Sequence, residues 1–189
     1  MFEIDLNNLS GKILLATPSM NHSIFKDTVI FLCSHSEDGA MGVIINKPIQ
    51  ALSFSSICKD LEITDEVPLD LPVLFGGPVE KNRGVILHSQ DYNAEKETLK
   101  CTSTLSMTAS FTILSDLAKG LGPANALLAL GYAGWAPDQL ESELASNCWM
   151  FGKLEDKEIF STDFDQKWSN SLKNSGVEPS NISSNFGSA

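Results

Sequence analysis

Short apolar runs separated by turn residues fill the first part of the chain and predict β-strands. Residues 12–16 and 28–33 are rich in apolar and β-branched side chains. The second run is apolar on both faces, as in a strand that is covered on both sides. Turn-forming residues at 36–40 predict a hairpin to a returning strand over 41–45, which Pro48 would end. The N-terminal part is therefore predicted to supply three strands of a sheet.

Helical spacing then alternates with further strand patterns. A helix is predicted where apolar residues recur at i, i+3, i+4 and i+7, namely at Phe54, Ile57, Cys58 and Leu61. Strands are predicted at 73–75 and 85–87. Two glycines and a proline at 76–78 are incompatible with regular pairing, which predicts a loop between these two strands.

The second half of the chain is predicted to carry more helix than the first. Helices are expected at 109–119, ended by Gly120, and at 123–130, opened by Pro123 and ended by Gly131. The other predicted elements are strands at 99–108, 148–151 and 159–160 and a helix at 163–173. This mixture of hairpins and helical runs favours an α+β fold over a doubly wound sheet. The serine- and asparagine-rich segment 174–189 is expected to be a flexible tail.

Residues 131–149, called the signature segment below, have the most demanding composition of the chain. Gly131 and Gly134 are expected to enforce turns, and Pro137 is expected in the first turn of a new helix. Trp135 is expected to pack in the core. The alternative is that Trp135 and Trp149 form an aromatic platform for a ligand.

The signature segment resembles that of the YqgE/AlgH family of bacterial proteins. Further motifs support the resemblance: LSGKILLATPSMNHSIFKDTVIFLCSH at 9–35, DGAMGVIINKP at 38–48, VLFGGPV at 73–79 and RGVILHS at 83–89. The resemblance covers almost the whole chain and implies a mixed α+β fold with a bent sheet flanked by helices. It implies no established activity, although many family members are labelled transcriptional regulators.

Length and composition indicate one globular domain over residues 1–189. The chain has 42% apolar residues and a mean hydropathy of -0.01. Glu3 and Asp5 stand where a signal peptide would carry basic residues, and no apolar run approaches the roughly 18 residues that span a bilayer. A cytoplasmic protein without a membrane segment is expected.

Charge argues against direct binding of nucleic acid. The 13 basic and 24 acidic residues give a net charge of -11, and Arg83 is the only arginine. Phosphate backbones attract lysine and arginine, and arginine supplies the commonest specific base contact. The expected partner is therefore another protein or a small ligand, and any effect on transcription would be indirect.

Neither a metal site nor a cofactor is predicted. The four cysteines are scattered without a CxxC pair, which is typical of reduced thiols, and Cys33 with His35 alone is too few ligands for zinc. The chain lacks a GxSxG motif, and the glycines at 76–77 lack the following lysine and hydroxyl residue of a phosphate loop. No catalytic residue is assigned, and whether the protein is an enzyme stays open.

Polar residues at the ends of predicted strands are the best candidates for a ligand site. If those ends converge, two imidazoles, an amide and an amine could bind an anion or move a proton. The alternative is ordinary strand termination, in which these side chains hydrogen-bond their own turns. The candidate ligand-binding residues are His35, Asn46, Lys47, Gly76, Gly77 and His88. A binding or regulatory protein is the first hypothesis, and a small-anion-binding protein or enzyme built on these residues is the alternative.

Overall fold

The computed structural model describes residues 8–63, 71–94, 97–177 and 182. The strands in these ranges are β1 Ile13–Ala16, β2 Val29–Ser36, β3 Gly39–Ile44, β4 Pro48–Ser53, β5 Pro72–Phe75, β6 Val79–Ser89, β7 Thr98–Lys100, β8 Leu105–Thr108, β9 Ala126–Trp135 and β10 Trp149–Gly152. The α-helices are α1 Phe54–Asp60, α2 Phe111–Ala118, α3 Gln139–Ala145, α4 Asp156–Ile159 and α5 Lys167–Asn174. None of the described helices is long and apolar enough to cross a membrane.

All ten strands belong to one sheet. Its main path runs β10-β1-β2-β3-β9-β6-β8-β7 with antiparallel neighbours, and β5 pairs in parallel with β9 and antiparallel with β4. The predicted α+β class is confirmed, and the single parallel pair makes the sheet a mixed one. The predicted hairpin between β2 and β3 is present, with Ser36 opposite Gly39.

Strand β9 is the main departure from the sequence prediction, because the helix expected at 123–130 does not form. Residues 126–130 are apolar at every position, so their periodicity could not distinguish a buried helix from a strand covered on both faces. Neighbouring strands decide the matter, since β5 and β6 both pair with this stretch. β9 then continues past Gly131 to pair with β3.

The two glycines of β9 have different roles. Gly131 has a left-handed φ of 72°, and a side chain there would collide with the carbonyl groups of Gly77 and Val79. Its requirement for glycine is confirmed, although it lies within a strand and does not end a helix. The turn predicted at Gly134 is wrong, because this residue pairs with Met41 in regular sheet.

Several other boundaries also differ from the predictions. Pro48 does not end a strand but begins β4, since the first residue of an edge strand needs no N–H for pairing. The loop predicted after Pro78 is instead the start of β6, which absorbs a register shift between Val79 and Gly84. Residues 99–108 form the β7–β8 hairpin and not one strand.

The C-terminal predictions need similar corrections. The strand expected at 159–160 is the end of α4, which a capping box of Glu155 and Glu158 stabilises. The last helix begins at Lys167, later than expected. Most of the predicted flexible tail at 174–189 lies outside the described residues. Of the described ones, Val177 and Ile182 pack on the core.

The helices cover the two faces of the sheet in three places. One face packs against α4 and α5 through Ile159 and Leu172. On the opposite face, α3 covers one half through Leu140, and α1 with α2 covers the other half through the residues Phe54, Cys58, Ile113, Leu114 and Leu117.

Candidate functional site

The structure separates the predicted strand-end candidates. His35 lies near the end of β2. Asn46 lies at the start of β2, where its side-chain oxygen accepts a hydrogen bond from Val29 N–H at 2.8 Å. Six residues of strand span about 20 Å. His88 pairs with Ala126 at the beginning of β9, far from the β9 end that lies beside the β2–β3 hairpin. The predicted strand ends therefore do not converge, and the four polar candidates do not line one pocket.

Both candidate histidines are engaged within the protein. The backbone N–H of Leu9 donates to His35 Nδ1 at 3.2 Å, so Nε2–H donates to the Glu141 carboxylate at 2.7 Å. His88 is fully buried. Its Nδ1 bonds the Ser89 carbonyl at 2.7 Å, its Nε2 meets the Thr108 hydroxyl at 2.8 Å, and burial lowers its pKa. These contacts are those of structural histidines that close strand ends.

The glycines at 76 and 77 allow two chain segments to cross closely. A side chain on Gly76 would collide with the Gly131 carbonyl, and one on Gly77 would collide with the Tyr132 backbone. Gly76 also bonds both sides of the crossing, with its N–H on Leu130 and its carbonyl on Ile44 N–H. Both glycines are therefore required by the fold itself, and neither is free to bind a ligand at this crossing.

The signature segment fixes α3 to the sheet. Trp135 is 7% exposed, and its indole N–H donates to Glu143 Oε2 at 2.8 Å. The Trp149 indole N–H donates to the same oxygen at 2.6 Å, and the two rings meet edge to face at 6.0 Å. Pro137 precedes the N-cap residue Asp138 and does not lie in the first helical turn. The core interpretation of Trp135 is confirmed, and the platform interpretation is wrong.

Asn46 and Lys47, two of the strand-end candidates, line one cavity together. We call this cavity, which measures about 750 Å³, the Lys47 cleft. Its walls are the β3–β4 link and the start of α5, and its lining residues are Lys26, Asp27, Asn46, Lys47, Pro48, Gln50, Phe164, Asp165, Trp168 and Ser169. The Lys47 ammonium donates to the Ile24 carbonyl at 2.7 Å, and burial lowers its pKa.

A second cavity, of about 450 Å³, lies between α1 and α2, and we call it the α1–α2 groove. Leu128 and Leu130 of β9 and Gly84 of β6 form its floor. Its other apolar lining residues are Leu52, Ile57, Leu61, Ala109, Phe111 and Leu114, and its polar lining residues are Asp60, Asn82, Arg83 and Ser110. Leu61 is 41% exposed and Phe111 is 56% exposed, so apolar surface continues from the groove to its rim.

Two polar groups in this groove are available to form hydrogen bonds with a ligand. The Ser110 hydroxyl oxygen is buried, and it has no hydrogen-bond partner among the described residues. Arg83 bonds Glu80 at 2.9 Å, but both side chains are about half exposed, and such surface pairs contribute little. Sequence reasoning missed this site. The available signal was Arg83, which entered the sequence argument only as evidence against nucleic acid.

Metal ligation has no support in the described ranges, where no group of three or more His, Cys, Asp or Glu residues could hold an ion. All four cysteines are free, and only Cys148 is not buried. A hydrogen bond to Cys101, followed by burial, raises the pKa of the Cys33 thiol. Buried thiols with raised pKa values behave as apolar core groups and not as nucleophiles.

Comparison with known proteins gives one consistent family. A family model described as AlgH-like (DUF179) matches residues 13–180. The chain is 44% identical over 184 residues to a UPF0301 protein of Ruegeria pomeroyi, covering 96% of this chain and 100% of that protein. It is 42% identical over 186 residues to a UPF0301 protein of Paracoccus denitrificans, covering 97% and 98% of the two chains.

Solved structures agree with this assignment. The solution structure of the AlgH protein from Pseudomonas aeruginosa is similar over 100% of both chains, with a TM-score of 0.78 and 32% identity. A crystal structure of a Corynebacterium diphtheriae protein shares the fold, with a TM-score of 0.70 and 20% identity over 92% of this chain and 89% of that one. On both the sequence and the fold, this chain belongs to the AlgH-like family.

Proposed function

We propose that this chain is a cytoplasmic binding protein that takes an apolar segment of a partner protein into the α1–α2 groove. The observation that carries the proposal is the continuity between the apolar floor of the groove and the exposed side chains of Leu61 and Phe111 on its rim. Exposed apolar surface that is rimmed by polar residues is typical of protein interaction sites.

The dimensions of the groove suit one or two large apolar side chains. Its volume of about 450 Å³ lies within the range of ligand sites in proteins. Each Leu or Phe side chain that the groove removes from water stabilises a complex by about 1.5 to 3 kcal/mol. Two such anchors, less the cost of association, would support the modest affinity that is common for regulatory contacts.

The rim favours a protein partner over a small metabolite. A small molecule inside the groove would leave much of Phe111 in water, whereas a polypeptide lying across the groove would cover it. Arg83, Asn82 and Asp60 offer both donors and acceptors, which suit the amide groups of a peptide backbone. Aromatic residues and arginine are also the types most enriched at the energetic centres of protein interfaces.

A partner-mediated role makes any regulation of transcription indirect. With a net charge of -11, the chain repels a nucleic acid duplex, and it has a single arginine for contacts with phosphates and bases. We expect no saturable binding of promoter or random duplexes at about 150 mM salt, where phosphate contacts are screened but specific binders still saturate. Saturation with either duplex in a fluorescence anisotropy titration would contradict this part of the proposal.

Gly84 provides a direct test of the groove. A Cβ atom added there meets only Leu128 Cδ1, at 3.8 Å, so Gly84→Leu has room for its Cβ and would place an apolar side chain on the floor of the groove. Gly134→Ala is the matched control. It also adds a side chain to a strand glycine, but it lies outside the groove, on an exposed part of β9, and its nearest neighbour is 3.6 Å away.

Peptides selected from a random displayed library supply the probe. We expect selected peptides to share large apolar residues and to shift the methyl resonances of Leu61, Leu114 and Leu128. Gly84→Leu should weaken their binding at least about tenfold, equivalent to losing roughly 1.4 kcal/mol, while Gly134→Ala should leave it unchanged. Peptides that bind both variants equally, or that shift resonances elsewhere, would refute the groove as the partner site.

A further inference from the structure

We propose that the Lys47 cleft is a second binding site, which takes a single phosphate monoester attached to a planar ring. The cleft lies on the α5 side of the sheet, and the α1–α2 groove lies on the opposite face, so this proposal does not depend on the proposed function. Its basis is the placement of two lysines beside an indole ring in one cavity of about 750 Å³.

The two ammonium groups supply the anion-binding part of the cleft. Lys47 uses one donor on the Ile24 carbonyl, so two of its three N–H groups are available. Neither Lys47 nor Lys26 makes a salt bridge in the parts of the chain that the structure describes. Burial is the main cause that lowers the pKa of Lys47; the charge of Asp27 acts against it, and the charge of Lys26 adds a smaller lowering. A phosphate between the two ammonium groups would replace lost hydration and offset their repulsion.

The indole ring of Trp168 supplies a platform for the planar part of the ligand. Trp168 lies in the first turn of α5, and its indole N–H donates to the Ala16 carbonyl at 3.0 Å. This hydrogen bond to a buried strand holds the ring in place before a ligand arrives. Stacking on a fixed aromatic ring accepts any flat heterocycle, because every such ring has a π-face.

The remaining polar groups limit the charge of the ligand. Asp27 and Asp165 also line the cleft and offset the two lysines, which disfavours a polyphosphate. Asp27 has a left-handed backbone with φ 54°, and Asn46 holds this corner by donating to the Asp27 carbonyl at 2.8 Å. Asn46 thus acts as a positioning residue that shapes the wall carrying Lys26, and its amide oxygen and one of its two N–H donors are engaged within the protein.

Adenosine monophosphate, adenosine and inorganic phosphate are the three probes for this site. We expect the monophosphate to bind saturably by calorimetry and to change the fluorescence of Trp168. Adenosine and phosphate alone should each bind at least about tenfold more weakly, because each lacks one half of the interaction. The fluorescence change should vanish in Trp168→Phe, since Trp135 and Trp149 are buried on the opposite face of the sheet.

Variants that remove a lysine charge distinguish binding in the Lys47 cleft from nonspecific binding. Lys47→Gln and Lys26→Gln should each weaken the monophosphate at least about fivefold, and the exposed Lys100→Gln should not. Lys26 is exposed, so its variant tests the site even if Lys47→Gln unfolds. Absence of saturation at about 10 mM, roughly the weakest affinity that one ion pair and one stacked ring provide, would overturn the proposal. Equal binding of adenosine, or full binding by both lysine variants, would overturn it as well.

Discussion

Truncation of Trp135 tests whether the signature segment serves the fold. Trp135→Ala removes a ring that is 7% exposed and is packed among the residues under α3. The same change deletes the edge-to-face contact with Trp149 at 6.0 Å and the indole hydrogen bond to Glu143. Glu143 keeps hydrogen bonds from Trp149 and Gln139, so the variant leaves no unpaired buried carboxylate.

The expected loss follows from these contacts. Truncation of a large aromatic residue in a core costs about 3 to 5 kcal/mol, and we expect the upper half of this range because a ring pair adds about 0.5 to 1.5 kcal/mol. Trp135→Phe keeps most of the apolar volume and loses the hydrogen bond. It should therefore cost only about 1 to 2 kcal/mol.

Urea unfolding followed by far-UV circular dichroism measures both variants. With a slope of about 2 kcal/mol per molar, Trp135→Ala should lower the midpoint by about 2 M, and Trp135→Phe by under about 1 M. An unchanged midpoint in Trp135→Ala would refute the reasoning, because a tryptophan buried in this way cannot be removed without cost. Equal losses in the two variants would show that the hydrogen bond to Glu143, and not the packing, carries the stability.

Three further predictions concern backbone conformation, a buried imidazole and thiol access. Gly131→Val should lower the free energy of unfolding by about 3 kcal/mol or more, because its left-handed backbone sits against two carbonyl groups, whereas Gly134→Ala should change it by under about 1 kcal/mol in the same urea assay. Burial lowers the pKa of His88 in the folded state, so the unfolded chain takes up the proton first and stability is lost as the pH falls below about 6.5. The stability advantage of the wild type over His88→Gln should therefore shrink between about pH 7.5 and 5.5, and a constant difference would contradict this. Ellman's reagent should label Cys148 quickly and the three buried cysteines only on unfolding, and more than one fast thiol would show that the core is open.

Local patterns predicted the strands that have clear borders. β1, β2 and β3 follow from short apolar runs with turn residues between them, and α1 follows from helical spacing. The failures occur where a run is apolar at every position or too short for any period to appear. Residues 126–130 belong to the first kind, and their pairing partners β5 and β6 come from distant parts of the chain. Residues 159–160 belong to the second kind.

The candidate site was harder to predict than the fold. The sequence analysis selected polar residues at strand ends, because such residues form one site if the strand ends converge. In an antiparallel sheet, however, the C-terminal ends of successive strands point in opposite directions. His35 and Asn46 are therefore about 20 Å apart along β2. The groove contains residues from four separate segments and the cleft from three, and Trp168 lines the cleft with Lys47 only because α5 packs across the sheet.

The sequence by itself determined the class of fold, the family and the acidic surface, because composition and short-range motifs carry this information. It also indicated that position 131 needs glycine, since a left-handed turn is expected there, and the structure gives Gly131 a φ of 72°. Only the tertiary structure decided which polar groups meet. His35 is engaged by hydrogen bonds with Leu9 and Glu141, and His88 by hydrogen bonds with Ser89 and Thr108, while α5 leaves an open cavity beside Lys47. The physical reason is that burial and pairing of a side chain depend on segments distant in sequence, and no local pattern specifies their final position.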